Sequence, residues 1–210
     1  MNNEFVNTTV FVVDDDPAFR RIVQRIIELS GVRVAAFSSA REFLDQFQPS
    51  VAGCLVLDVD MPEMTGLELQ QRLRNTNLDL PIIFVSSLDD LSTVSKAFRG
   101  GAVDFLHKSQ LKEQLPNRIN EALQKDLDRR EFVNNRHVVV QCLETLTARE
   151  KDVIELMLNG KDIKQIASNF GFSFQSAARH RTKILKKMGV DNCVELANLV
   201  NDVDVSVTAN

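Results

Sequence analysis

Three consecutive carboxylates, Asp14, Asp15 and Asp16, follow the apolar run TTVFVV at 8–13. Neighbouring carboxylates repel, and loss of water favours their neutral forms. A hard divalent cation reverses that cost, because oxygen ligands are what it takes. Farther along, Asp58 follows VAGCLVL, Ser86 follows PIIFV, and Lys108 stands two residues beyond AVDFL. Together these residues suit one chemistry. Asp14 and Asp15 would hold Mg2+ and Asp58 would share it, which lowers the repulsion between a carboxylate nucleophile and an incoming phosphoryl group. Asp58 would attack phosphorus to form an acyl phosphate. Lys108 would set a point charge against a phosphoryl oxygen, and the Ser86 hydroxyl would bond the phosphoryl group once it is present. Taken singly, each residue has a plainer use: Asp16 as a helix N-cap, Asp58–Pro62 as a turn, Lys108 as a solvated loop lysine.

The elements that must bring these residues together are legible as an alternation. Residues 8–13 predict a buried strand, and Asp16-Pro17 opens a helix whose apolar face is Ile22, Val23, Ile26 and Ile27. VRVAAF (32–37) is a second strand, and Ser39 caps a helix with Phe43, Leu44 and Phe47. VAGCLVL (51–57) is a continuous apolar run, as a strand buried on both faces should be. A helix from Gly66, a strand at 81–85, a polar helix from about 89 to Arg99, a strand at 102–106 and a helix from near Gln110 complete the pattern. Such alternation implies βαβ units and a doubly wound, parallel, five-stranded sheet. Right-handed crossovers put the carboxyl ends of all the strands on one edge, where α/β proteins place their sites.

Composition and charge narrow the classes. With 44% apolar and 26% charged residues among 210, the chain reads as globular. No apolar run approaches the roughly 18 residues that span a bilayer. The start, MNNEFVNTTV, lacks the basic and apolar regions of a signal peptide, so a cytoplasmic location is expected. Cys54, Cys142 and Cys193 are odd in number and far apart, as idle thiols in a reducing compartment would be. The net charge of −4 is uneven: residues 1–115 hold 11 basic and 16 acidic residues, whereas 173–188 hold Arg179, Arg181, Lys183, Lys186 and Lys187 with no acid. That block points to nucleic acid where the whole chain does not.

From Gln110 to about Arg136 the spacing of Leu111, Leu115, Ile119, either Ala122 or Leu123, and Leu127 predicts one long helix, with Pro116 compatible with its first turn or two or else a kink there. Its stretch 127–137 suits either a solvated connection or a short coiled-coil seam. Beyond it, Thr147 and Glu150 form a capping box for a helix carrying Val153, Ile154, Met157 and Leu158 up to Gly160. A short helix with Ile163, Ile166 and Ala167 follows. After the turn NFGFS comes a basic helix capped by Ser173, with Ala177, Ile184, Leu185 and Met188 inward. Its other faces carry Gln175, Ser176, Arg179, Thr182, Lys183 and Lys186. Two helices joined by a short glycine-containing turn, the second basic, match the helix-turn-helix pattern.

Two resemblances fit these readings. DD (14–15), LDVDMPEMTG (57–66), PIIFVSS (81–87) and DFLHK (104–108) resemble the receiver domain of two-component response regulators over about 115 residues. LTARE, NGKDIKQIA, HRTKILKKMGV and VELANLV, within 146–200, resemble the LuxR-type effector domain, here in a FixJ-like order. The expected fold class is an α/β receiver at 1–122, a long linker helix at 123–142 and an all-α helix-turn-helix domain at 143–206.

The resemblance implies that Asp58 takes phosphate from a histidine kinase, that the metal also meets the backbone carbonyl of Asp60, and that Ser86 and Phe105 are the switch hydroxyl and aromatic. Residues 162–168 would be the supporting helix, with Lys164, and 174–188 the recognition helix for double-stranded DNA. A phosphorylation-switched transcription regulator follows, not an enzyme, which becomes a homodimer on phosphorylation and binds paired half-sites. An Mg2+-dependent Asp-nucleophile phosphatase shares the carboxylate chemistry, but the chain offers no substrate cap or second general acid.

The chain departs from the family at several positions. Ser176-Ala177 stand where Thr-Val is common, Ala178 where a basic residue is frequent, Ser86 where Thr is commoner, and Asp60 adds a charge beside the phosphoacceptor. Ser109 stands where receivers usually have proline after a cis bond. A cis bond before a non-proline residue costs about 2.5–4 kcal/mol, against roughly 0.5–1 before proline. The Lys108–Ser109 bond is therefore expected to be trans, the loop 107–110 mobile, Lys108 loosely aimed at Asp58, and Ser109 free to cap the next helix. This departure also keeps open a phosphorylation-independent regulator whose receiver is only an interaction domain.

Overall fold

The structure, a computed structural model, describes residues 5–76, 78–87 and 90–203. The chain divides into two compact units, Met1–Arg129 and Arg130–Asn210.

In the first unit, β1 (Thr8–Val13), β2 (Arg33–Phe37), β3 (Ala52–Asp58), β4 (Ile82–Ser86) and β5 (Asp104–His107) form one parallel sheet in the order β2-β1-β3-β4-β5. Helices α1 (Pro17–Glu28), α2 (Ala40–Gln46), α3 (Gly66–Asn75) and α4 (Leu91–Arg99) connect the strands, and α5 (Leu111–Glu144) follows the last. The period of two along each strand divides the core. Val10, Val12, Cys54, Val56, Ile83 and Val85 pack on one face with Val23 and Ile27 of α1 and Leu115, Ile119 and Leu123 of α5. Phe11, Val13, Leu55, Leu57, Ile82 and Phe84 pack on the other with Phe43, Leu69, Leu73 and Ala97. The three inner strands β1, β3 and β4 are buried on both faces and so are apolar along most of their length rather than alternating, whereas the edge strands β2 and β5 carry Arg33, Asp104 and His107.

Several boundaries differ from the sequence reading. Ile22 lies outside the apolar core and is 49% exposed. With Ile26, Leu29 and Pro116 it lines an open groove between α1 and α5. Ala102 and Val103 precede β5 rather than open it, although the Val103 N–H donates to the Ile82 carbonyl at 2.8 Å. Asp90 caps α4, and residue 89 lies outside the described residues. Helix α5 continues through Pro116.

The second unit is helical beyond the end of α5: α6 (Ala148–Leu158), α7 (Ile163–Phe170), α8 (Phe174–Met188) and α9 (Cys193–Asp202). Thr147 and Glu150 make the expected capping box, and Asp162 with Gln165 makes a second. Gly171, at φ 68°, takes the left-handed conformation that ends α7 and lets Ser173 cap α8 three residues before Ser176. Val153, Ile154, Ile166, Ala177, Ile184, Leu185, Met188 and Leu196 close the core. Among the described residues no helix is long and apolar enough to cross a membrane.

Candidate functional site

The strand order reverses between β1 and β3, and the crevice at that switch point is the expected ligand position of an open α/β sheet. Asp14 and Asp15 leave the end of β1, and Asp58 ends β3. Each offers a carboxylate oxygen within 4.8 Å of the others; Asp14 and Asp58 are buried and Asp15 is exposed. The Lys108 ammonium, just past β5, bridges two of them, 2.7 Å from Asp14 Oδ2 and 2.9 Å from Asp58 Oδ1. Burial pushes the Asp58 carboxyl up to about 6; the Lys108 hydrogen bond pulls the other way, and Asp14 and Asp15 push further. Burial alone would lower Lys108, but its bonds to Asp14 and Asp58 outweigh this and hold it above its ordinary value. Three crowded carboxylates with one ammonium between them still lack positive charge. An all-oxygen donor set with that deficit fits a hard divalent cation.

The backbone around Asp58 is shaped for close approach. Gly66 packs so tightly against the end of β3 that a Cβ there would lie 2.1 Å from the Asp58 carbonyl oxygen. Its N–H donates to the Val59 carbonyl at 2.9 Å. Between them Glu63 takes φ 64°, a rare conformation for a residue with a side chain. The Asp60 N–H donates to Asp58 Oδ2 at 3.1 Å, and the exposed Asp60 carboxylate is not part of the cluster of three. Ser86 is buried at the end of β4. By the period of two it shares a sheet face with Phe84, which lies opposite Phe105 in the β4–β5 register. The Phe84 and Phe105 rings stack with centroids 6.1 Å apart.

No peptide bond among the described residues is cis, so Lys108–Ser109 is trans as expected. The loose aim expected of Lys108 is corrected by its two short contacts. Ser109 does not cap the next helix either: residues Lys108–Gln110 form a single 3-10 turn capped by His107. The Ser109 N–H and hydroxyl both reach His107 Nδ1, at 3.2 and 2.6 Å, while Nε2 lies 3.2 Å from the Ser87 carbonyl. An accepting Nδ1 and a donating Nε2–H are one consistent tautomer of neutral histidine. His107 thereby fastens the turn after β5 to the loop after β4.

In the second unit, Gln175, Arg179, Thr182 and Lys183 of α8 and Lys164 of α7 are exposed, and Ser176 is half-buried. Three contacts were not legible from spacing. The Thr182 hydroxyl donates to the Ala178 carbonyl at 3.1 Å. Lys183 lies 3.4 Å from Glu150 Oε1, and Lys187 lies 2.6 Å from Oε2. The Lys187 hydrogen bond is the chief reason that the nearly inaccessible Glu150 carboxyl is held down to about 2. His180 stacks on Phe172 with centroids 5.0 Å apart, and the Arg149 guanidinium covers Phe170 and Phe172, a cluster that fixes the turn.

Residues 10–120 match the family model of the response regulator receiver domain, and residues 144–200 match that of the bacterial regulatory proteins of the luxR family. The chain belongs to the response regulators. This response regulator is 35% identical to nodulation protein W of Bradyrhizobium diazoefficiens, over 94% of this chain and 87% of that one. It is 34% identical to the transcriptional regulatory protein TdiR of Thauera aromatica, over 92% and 85%. Among solved structures it resembles response regulator StyR, with a TM-score of 0.83 and 34% identity over 93% of this chain and 98% of that one. Full-length FixJ from B. japonicum gives a TM-score of 0.58 and 27% identity over 94% and 97%. The chain is therefore a regulator that joins a receiver to a LuxR-type helix-turn-helix domain, a family of transcription regulators.

Proposed function

We propose that Asp58 is the phosphoacceptor and that its phosphorylation controls DNA binding by α8. The observation that carries this is the Lys108 ammonium set between Asp14 and Asp58 at 2.7 and 2.9 Å, at the switch point of the sheet. Asp14, Asp15 and Asp58 would hold Mg2+, with the backbone carbonyl of Asp60 as a further ligand. When bound, the ion supplies charge that keeps Asp58 ionised and eases the approach of an anionic donor. An Asp58 carboxylate oxygen attacks the phosphorus of the kinase's phosphohistidine. The new O–P bond forms as the P–N bond breaks, and the imidazole leaves with the bonding pair. Lys108 then turns its charge to a phosphoryl oxygen. Ser86, on the adjacent strand end, donates its hydroxyl to the same group, and Phe105 turns inward beside Phe84, altering the face around α4 and β5.

That altered face would form a homodimer and present two copies of α8 to paired half-sites in double-stranded DNA. Gln175, Ser176, Arg179 and Thr182 would meet base edges, and Lys164 and Lys183 the phosphates. The functional divisions would be 1–122, 123–142 and 143–206; residues 204–206 lie outside the described residues. A gel shift with operator DNA tests the reading. A small phosphoryl donor with Mg2+ should tighten binding by the wild type and leave Asp58→Asn unchanged. Equal tightening in both proteins would remove Asp58 from the mechanism.

A further inference from the structure

Lysine carries a compact charge on a flexible four-carbon stem, so carboxylate partners alone do not fix the direction from which its ammonium arrives. In this chain a third group meets it: the Lys108 nitrogen lies over the Phe19 ring, 4.0 Å from its centroid. An ammonium at that distance from a ring face is attracted by the ring quadrupole. The ring is itself firmly placed. Phe19 is the third residue of α1, whose first turn is set by Pro17 at its start and by Asp16, whose carboxylate accepts the Ala18 N–H at 2.8 Å. Arg20, the next residue, donates to the Asp14 carbonyl at 2.6 Å. The turn that carries Phe19 is thereby tied to the strand end that carries Asp14 and Asp15. The ring is half-buried against the α1–α5 core.

We propose that Phe19 is a positioning residue for Lys108, holding the ammonium beside Asp58 by its ring face. The proposal rests on the phosphoacceptor reading above and deepens it. The ionic contacts of Lys108 must change when Asp58 gains a phosphoryl group, because one carboxylate charge becomes a larger, displaced one. The ring contact comes from α1 and does not depend on the state of Asp58. It keeps the ammonium near the reacting oxygen while its ionic partner changes. With Ser109 after Lys108 and a trans bond between them, the aim of the lysine is set by what the side chain touches: Asp14, Asp58 and this ring.

Wild type, Phe19→Tyr and Phe19→Leu separate the ring's charge distribution from its bulk, with two readouts. The first is proton NMR of the Lys108 ε-methylene in unphosphorylated, Mg2+-free protein. The ring should shift these protons upfield in wild type and Phe19→Tyr, and the shift should vanish in Phe19→Leu. The second is the initial rate of Asp58 phosphorylation by acetyl phosphate with Mg2+. Phe19→Tyr should match wild type, and Phe19→Leu should be roughly two- to fivefold slower, as expected from a partly exposed cation–π contact. Unshifted Lys108 protons in wild type would overturn the proposal, and so would Phe19→Tyr slowing as much as Phe19→Leu. If Phe19→Leu does not fold, Phe19→Met takes its place in both readouts, and a ring-free variant that is phosphorylated as fast as wild type would overturn the proposal as well. If Lys108 is ring-shifted but wild type gains no phosphate at Asp58, the phosphoacceptor reading falls and the ring-to-ammonium assignment stands.

Discussion

Arg179 and Lys183 stand one turn apart on α8, both exposed, yet their surroundings suit them to different work on DNA under the proposed reading. Lys183 already has Glu150 Oε1 at 3.4 Å, so its ammonium is held near the helix, where a point charge suits a phosphate. Arg179 makes no ion pair among the described residues, and its planar fork is free for a guanine edge. Arg179→Ala should weaken operator binding by about 1–3 kcal/mol and relax preference at one base pair. Lys183→Ala should weaken all DNA alike and flatten the dependence of affinity on salt. Fluorescence anisotropy with operator and scrambled duplexes at several salt concentrations separates the two. If Thr182 meets a base edge it should do so as an acceptor, because its hydroxyl proton is spent on the Ala178 carbonyl. Ser109 shows how a local rule can misjudge a loop: residue type argued for a loose lysine, whereas contacts from α1, β1 and β3 hold it.

At the scale of elements, single buried carboxylates tie segments distant in sequence. Glu150 serves the start of α6 as the return arm of its capping box and also takes Lys187, and more distantly Lys183, from α8. Its folded pKa of about 2, against an ordinary 4.5, means that folding favours the ionised form. That stabilisation is whole above pH 4.5 and is lost as pH falls through 2. Glu150→Ala should cost about 1–3 kcal/mol at pH 7, and its deficit against wild type in urea melts should shrink as pH drops toward 3. Asp126 does similar work between α5 and β3. Fully buried, it accepts the Gly53 N–H at 2.9 Å and pairs with Arg129. Asp126→Ala would leave the Gly53 N–H without its acceptor and take from Arg129 its nearer carboxylate, leaving only Asp79 at 3.6 Å among the ion pairs described. It should lower the unfolding free energy obtained from urea melts by about 2–4 kcal/mol, and Asp126→Asn less, because an amide oxygen still accepts from Gly53.

For the molecule as a whole, the alternation of apolar runs and amphipathic stretches was enough to read five parallel strands and the helix-turn-helix. Both signals are periodic and local. The site was legible as far as strand ends determine it, since a parallel sheet must bring Asp14, Asp15, Asp58, Ser86 and Lys108 to one edge. What was not legible depends on side chains meeting across elements: Phe19 against Lys108, His107 against Ser87 and Ser109, Glu150 against α8, Ile22 turned to a groove rather than the core. A phenylalanine three residues past a helix cap reads as ordinary packing until the lysine above it is seen. The central claim is chemical: one carboxylate, Asp58, becomes an acyl phosphate. It is tested most directly by incubating the full chain with a small phosphoryl donor and Mg2+, trapping the acyl phosphate by borohydride reduction, and locating the reduced residue by peptide mass spectrometry. The account predicts homoserine in place of Asp58 alone, absent without Mg2+. Reduction at any other residue, or none with a donor and Mg2+ present, would contradict it.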